Sequence, residues 1–329
     1  MFEKETLFET QQLSVSGELL TLMLLVFWGV LLALEFIFPR EKLSVQSLRH
    51  SYKTNISLFV FNSVVMSVLS VSSLFLLAER YARFGLLSYL DNPLWGGLLA
   101  FVAFDLLLYA WHRVCHQFDS LWMFHRVHHN EPYLNVSTAF RVHIAEACLT
   151  NLLKAIYIVV MGVDQMMVLI NETIMTLFVM FHHSNLRFKA EKWLGYVFIV
   201  PYLHRAHHSA ERSEHDRNYG AVLSVWDRLF GTLTKATPTT IGIHGYSPQT
   251  FFGLLTFGFA FTPALPTARK MDLDTMIAEA AYYRAEKRNF MPGYELIDWL
   301  EAKKEIIRRE YGDDQSDDFG SNGRMRFQS

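Results

Sequence analysis

Two apolar runs constrain this chain before anything else does. Residues 19–34, extended through Phe36 and Phe38, are almost uninterrupted hydrocarbon, and residues 56–77 break theirs only with Asn62 and small hydroxyl side chains. Each is long enough to cross a bilayer, which takes about 20 residues of helix. Three further runs, 94–111, 147–163 and 166–181, are shorter and carry one or two polar residues apiece. With 51% of its 329 residues apolar, the chain is expected to fold as an all-α integral membrane bundle of about four to five membrane helices. The mixed charges of Glu3, Lys4, Glu5 and Glu9, with no small-residue cleavage site after the first run, are unlike a signal peptide, so that helix is expected to be retained. Arg40, Lys42, Arg49 and Lys53 lie between the first two runs, which places that loop in the cytoplasm by the positive-inside rule.

Three histidine clusters follow one spacing logic: His112 and His116; His125, His128 and His129; His204, His207 and His208. Residues three and four apart share a helix face, so each cluster aims two or three imidazoles at one point. Imidazole suits first-row transition metals, whereas magnesium and calcium take oxygen ligands. Eight histidines exceed what one ion uses, which argues for two ions in a cap at the membrane surface. Counting crossings from the cytoplasmic loop brings all three clusters to the cytoplasmic side.

Other residues are placed by their spacing to these clusters. Asp105, Tyr109, His112 and His116 form one helical stripe; Asp105 is expected to orient His112, with Tyr109 helping, or else to make a helix-to-helix hydrogen bond. Lys154 and Glu172 lie at matching distances from the turn at 162–165 and are expected to form an ion pair, with a polar lining of a substrate passage as the alternative. His143, three residues before Glu146, and His183 are further candidate ligands. His50, His182, His215 and His244 read as surface residues or as supports behind the ligands. Two cysteines, Cys115 and Cys148, make no disulfide framework. Arg126, Arg141, Arg187, Lys189, Arg205, Arg212 and Arg217 crowd the histidine segments, an arrangement that attracts anionic headgroups or docks an acidic electron-transfer protein. The formal net charge of −2 gives no reason to expect nucleic acid, and phosphate-loop, dinucleotide and nucleophile-elbow patterns are absent.

Over residues 101–233 the chain resembles the fatty acid hydroxylase and sterol desaturase superfamily of membrane di-iron oxygenases. The resemblance is carried by Asp105 with His112-Arg-Val-Cys-His116, by His125-Arg-Val-His-His129, by Ser137-Thr-Ala-Phe-Arg-Val-His143 with Glu146, by His183-Ser-Asn185, by His204-Arg-Ala-His-His208, by Asn218-Tyr-Gly220 and by Trp226-Asp-Arg-Leu-Phe-Gly231. It implies His112, His116, His125, His128, His129, His183, His204, His207 and His208 as ligands of two irons, with His143 a weaker one and Asp105, Tyr109, Glu146 and Asn218 behind them. It also implies hydroxylation or desaturation of a sterol, fatty acyl or ether lipid with O2, zinc being able to replace iron in purified protein. No haem, flavin or iron–sulfur motif is fused to the chain, so an external donor is implied, a ferredoxin or a cytochrome b-type protein with its reductase. His215 stands where relatives commonly place a small residue or threonine. A dinuclear zinc lipid hydrolase and a non-catalytic metal-binding membrane protein are the competing readings.

Beyond Gly231 the apolar stretch 251–265 is broken by Gly and Pro and reads as an interfacial helix pair. From Asp272 the chain turns charged and helical, with Asp274 as a cap, a turn at Pro292-Gly293 and a second helix over residues 295–311. Through Ile277-Ala-Glu-Ala-Ala-Tyr-Tyr283 and Trp299-Leu-Glu-Ala302 it resembles a short helical domain of unknown function found in bacterial proteins, which implies a bacterial inner membrane. The expected division is 1–90, membrane helices; 91–265, catalytic domain; 266–311, helical module; and 312–329, a tail too polar to fold.

Overall fold

A computed structural model of the chain describes residues 2–69, 73–245, 247–260, 273–288 and 290–311. In chain order the helices are α1 (Phe2–Ile37), α2 (Val45–Val68), α3 (Ser73–Tyr81), α4 (Pro93–Gln117), α5 (Asp119–His129), α6 (Ile144–Met161) and α7 (Gln165–His183). Short helices follow: α8 (Glu191–Leu194), α9 (Pro201–His207), α10 (Arg212–His215), α11 (Val225–Leu229) and α12 (Phe251–Phe257). Two more, α13 (Leu273–Lys287) and α14 (Glu295–Tyr311), complete the set. Among the described residues extended pairing is limited to isolated bridges, so the fold is all-α.

Among the described residues four helices are long and apolar enough to cross a membrane: residues Gly17–Ile37 of α1, then α4, α6 and α7. Their outward faces are bare hydrocarbon, as with Leu152, Ile156 and Val160 along α6, each more than half exposed. Contiguous apolar surface of this kind belongs in lipid, and it marks a multi-pass membrane protein. The second expected span is different. Residues 56–77 fall partly in α2 and partly in α3, and the inner face of α2 is polar: Ser51 and Asn55 bond Glu131, and Asn62 donates to the Val142 carbonyl.

Local signals set the helix ends. Asn92 caps α4 by accepting from Leu94 N at 3.0 Å, with Pro93 in the first turn. The α6–α7 hairpin closes where Gly162 takes a left-handed conformation (φ 71°) and Asp164 accepts from Met167 N, the Gly-after, Asp-before arrangement that helix ends favour. Glycine is required there twice over. A Cβ on Gly85 would lie 2.0 Å from the Gly162 nitrogen, so the turn after α3 packs directly on this corner. Inside the bundle, Ala100 and Phe104 of α4, Tyr157, Ile158 and Met161 of α6 and Val168 and Met175 of α7 form the main apolar core, with Leu74 and Ala78 of α3.

Residues 1–261 pack as one unit, so α1–α3 of the expected segment 1–90 share a unit with the histidine segments. The second unit holds α13 and α14, joined at Gly293 (φ 95°) around Ile277, Ala302 and Ile306, with Arg284 paired to Glu301 and Glu305. The expected helix over residues 295–311 is observed with those bounds. Of the stretch read as an interfacial helix pair, α12 is its first helix. Residues 261–265 of that stretch and the tail 312–329 lie outside the described residues.

Candidate metal centre

The polar ends of four elements meet at one point. The last two turns of α4 present His112 and His116, α5 presents His125, His128 and His129, α7 ends on His183, and α9 supplies His204 and His207 with His208 as its last cap. The nine rings sort into two groups. His112, His116, His125, His129 and His207 have ligand atoms within 4.8 Å of one another; so do His128, His183, His204 and His208.

Hydrogen bonding fixes which ring nitrogen faces inward. Six rings commit Nδ1–H outward: His112 to the Tyr219 carbonyl, His116 to Asp216, His125 to Glu146, His128 to the Arg141 carbonyl, His183 to the Val179 carbonyl and His207 to the Arg217 carbonyl, at 2.7–3.2 Å. A neutral imidazole has one N–H, so Nε2 of each carries a lone pair. Yet His112 Nε2 lies 3.1 Å from His125 Nε2, and His183 Nε2 lies 2.9 Å from His128 Nε2. Facing lone pairs repel and share no proton. A cation resolves the contact, because two nitrogens at ~2.0–2.1 Å from one ion sit about 3 Å apart. The buried Nε2 atoms of His116 and His207 and both nitrogens of His129 also lack any partner. The residues therefore fit two metal ions.

Electrostatics agree. Burial, reinforced by neighbouring imidazoles, holds His128, His129, His204, His207 and His208 well below the usual histidine range. They are neutral at pH 7, the form that binds metal.

Several expected roles change. His143 lies outside both groups: its Nδ1 accepts from Ala145 N to cap α6 and its Nε2–H donates to the Leu255 carbonyl, so neither nitrogen is left for a metal. Asp105 does not touch His112. Its carboxylate receives Val222 N, Leu223 N and Trp226 Nε1, and with Asp227, which receives Tyr219 N and Gly220 N, it pins the loop whose Tyr219 carbonyl accepts from His112. Tyr109 bonds Thr232 rather than a histidine. Asn218, at φ 55°, bonds Leu203 and Thr234 and so fixes the neighbouring Arg217 carbonyl that accepts from His207. Of the four, Glu146 alone bonds a histidine ring.

One residue near the centre escaped sequence reasoning, and two that read as surface residues or supports are buried beside the ligands. Asp216 bonds His116 from 100 positions away, which no spacing rule reports. His182 is buried, its ring 4.0 Å from that of His204. His215 is buried and stacked on Trp122, 5.7 Å from the His116 and His129 rings, with Nδ1 given to the Ser209 carbonyl. His50 and His244 sit at the surface on Gln249 and Glu211. Three of the seven basic residues are not on the surface: Arg126 donates to the Phe257 and Ala260 carbonyls, Arg141 is fully buried, and Arg205 pairs with Glu41.

A cavity of about 420 Å³ adjoins both groups. His112, His125, His128, His183 and His204 form its polar end; Met66, Leu108, Trp111, Val142, Ala147 and Val179 form apolar walls, with Thr150, Asn151 and Lys154 further along α6.

The fold and site define a helical membrane protein with a two-group polyhistidine metal centre. Residues 97–232 match the fatty acid hydroxylase family, and residues 272–307 match a family described as a protein of unknown function, DUF2934. The chain is 29% identical to an ornithine lipid hydroxylase of Rhizobium tropici over 58% of its own length and 59% of the relative's. It is 30% identical to the alkylglycerol monooxygenase of Danio rerio over 45% of this chain and 32% of that one. For the cholesterol 25-hydroxylase of Mus musculus the values are 28%, 42% and 47%. The chain thus spans between about a third and three fifths of the length of these curated relatives. No solved structure matches it.

Proposed function

We propose that this chain is a di-iron lipid oxygenase that uses O2 and electrons from an external donor to hydroxylate or desaturate carbon in a membrane lipid. The observation that carries the proposal is a cavity that touches both histidine groups and continues between apolar walls. Iron held by the nine histidines would supply oxygen activation and accept the electrons. The chain's own part is placement. Leu108, Val142, Ala147 and Val179 hold a hydrocarbon segment against the histidines and keep water from it. The backbone acceptors and Glu146 fix the Nε2 lone pairs inward. The names of the relatives, hydroxylases and monooxygenases acting on ornithine lipid, alkylglycerol and cholesterol, support lipid as the substrate class and favour hydroxylation.

The proposed location is a bacterial inner membrane with the centre on the cytoplasmic side. In support, the basic loop after α1 lies against the histidine end of α7: Arg40 N donates to the Asn185 carbonyl at 2.8 Å and the Arg40 side chain pairs with Glu191. The positive-inside rule then assigns the histidines to the cytoplasm. Within this reading, residues 91–265 are the catalytic part, 1–90 its membrane support and 266–311 an appended module.

The test is lipid analysis of membranes from cells making the wild type, His128→Ala or His207→Ala. Lipids oxidised in an O2-dependent manner appear with the wild type and vanish with both variants, each of which stays in the membrane. Products that persist in both variants contradict the proposal.

A further inference from the structure

The two histidine groups are not supported alike. Behind the five-histidine group stand two carboxylates: Glu146 Oε1 accepts from His125 Nδ1 at 2.7 Å, and Asp216 Oδ1 accepts from His116 Nδ1 at 3.1 Å. Among the described residues no carboxylate bonds a ring of the four-histidine group. His128 and His183 donate to backbone carbonyls, and Nδ1 of His204 and of His208 has no partner. Asp216 is itself held in place, since its other oxygen receives Arg212 Nε at 3.0 Å. Arg212, Asp216 and His116 form a chain that runs from the surface to the centre. His215 is the other titratable group facing this carboxylate, with Nε2 at 3.7 Å from Asp216 Oδ1.

A carboxylate that accepts a ligand's second N–H raises the basicity of the coordinating nitrogen and fixes its orientation; loss of such a partner lowers metal affinity about 10–100-fold. A carbonyl dipole orients the ring but brings no net charge. We propose that the two metal positions are inequivalent, the five-histidine position binding its ion more tightly because Glu146 and Asp216 stand behind it. Asp216 is then a positioning residue that acts through His116. The proposal rests on the reading of the centre as a di-metal site and adds an order of filling to it. The tighter position fills first and empties last, and the four-histidine position is the one that exchanges its metal.

The test loads the full chain, in lipid nanodiscs, anaerobically with ferrous iron and equilibrates it against graded chelator, counting iron per chain. Two steps of one iron each are expected for the wild type. Asp216→Asn and Glu146→Gln, which keep shape and remove charge, each weaken the tighter step about 10–100-fold and leave the weaker step in place. Asp216→Glu, which keeps the charge, retains the tighter step. His208→Ala removes the weaker step alone, which assigns the steps to the groups. Release of both irons in one step overturns the inequivalence and leaves the di-metal reading standing. So does an Asp216→Asn protein whose weaker step moves. A chain that takes up no iron overturns both.

Discussion

At the scale of single residues the centre is built by tautomers. Helical spacing made the histidine clusters legible, because residues three and four apart share a face whatever the rest of the chain does. The division into two groups was not legible, since it interleaves helices: His207 of α9 joins the α4 residues while His204, one turn away, joins His128 and His183. Asp105 shows the same limit. Its place on the His112 stripe suggested direct contact, but the carboxylate finds three N–H donors, two in the loop before α11 and one on Trp226 of α11, and acts on His112 through backbone. Basic residues also separate by burial rather than by sequence. Arg141 is fully buried and donates to the Val127 and Asn130 carbonyls, Asn55, Gln249 and Glu131. Arg141→Met removes five donated hydrogen bonds and leaves the buried Glu131 carboxylate without its cation, and a loss of about 3–5 kcal/mol is expected. Arg217→Met, at an exposed site, stays within about 0.5 kcal/mol. Thermal unfolding in one detergent compares the two; similar midpoints contradict the assignment of Arg141 as the tie between α2, α5 and the Gln249 segment before α12.

At the scale of elements, apolar length predicted α1, α4, α6 and α7 because lipid-facing helices carry no other instruction. Residues 56–77 fall partly in α2 and partly in α3, and the polar face of α2 answers to the loop that carries Glu131 and Arg141. Matching distances from a turn proved a sound guide within the α6–α7 hairpin. Lys154 Nζ meets Glu172 Oε2 at 2.7 Å, with both side chains partly exposed. A single Lys154→Met or Glu172→Gln leaves one charge unpaired at membrane depth, so each lowers stability. The double variant regains most of either loss. Denaturation of the four proteins, taken as a double-mutant cycle, checks this, and additive losses remove the pair from the account.

At the scale of the whole molecule, bare apolar flanks hold the bundle in lipid, a histidine centre closes one end, and a cavity adjoins the histidines. The lipid, the donor and the role of α13 and α14 were not legible in sequence, because they depend on shape at the far wall of the cavity and on surfaces with no spacing rule. The central claim is simpler: facing Nε2 lone pairs about 3 Å apart require cations between them. Metal content per chain tests this directly, on protein extracted gently from iron-replete cells and compared with the His128→Ala, His207→Ala double variant. The account predicts close to two irons per wild-type chain and a loss of iron in the variant. A wild-type chain that binds no metal contradicts it; one that holds zinc and takes up no iron after anaerobic reconstitution keeps the cations and contradicts the oxygenase proposal instead.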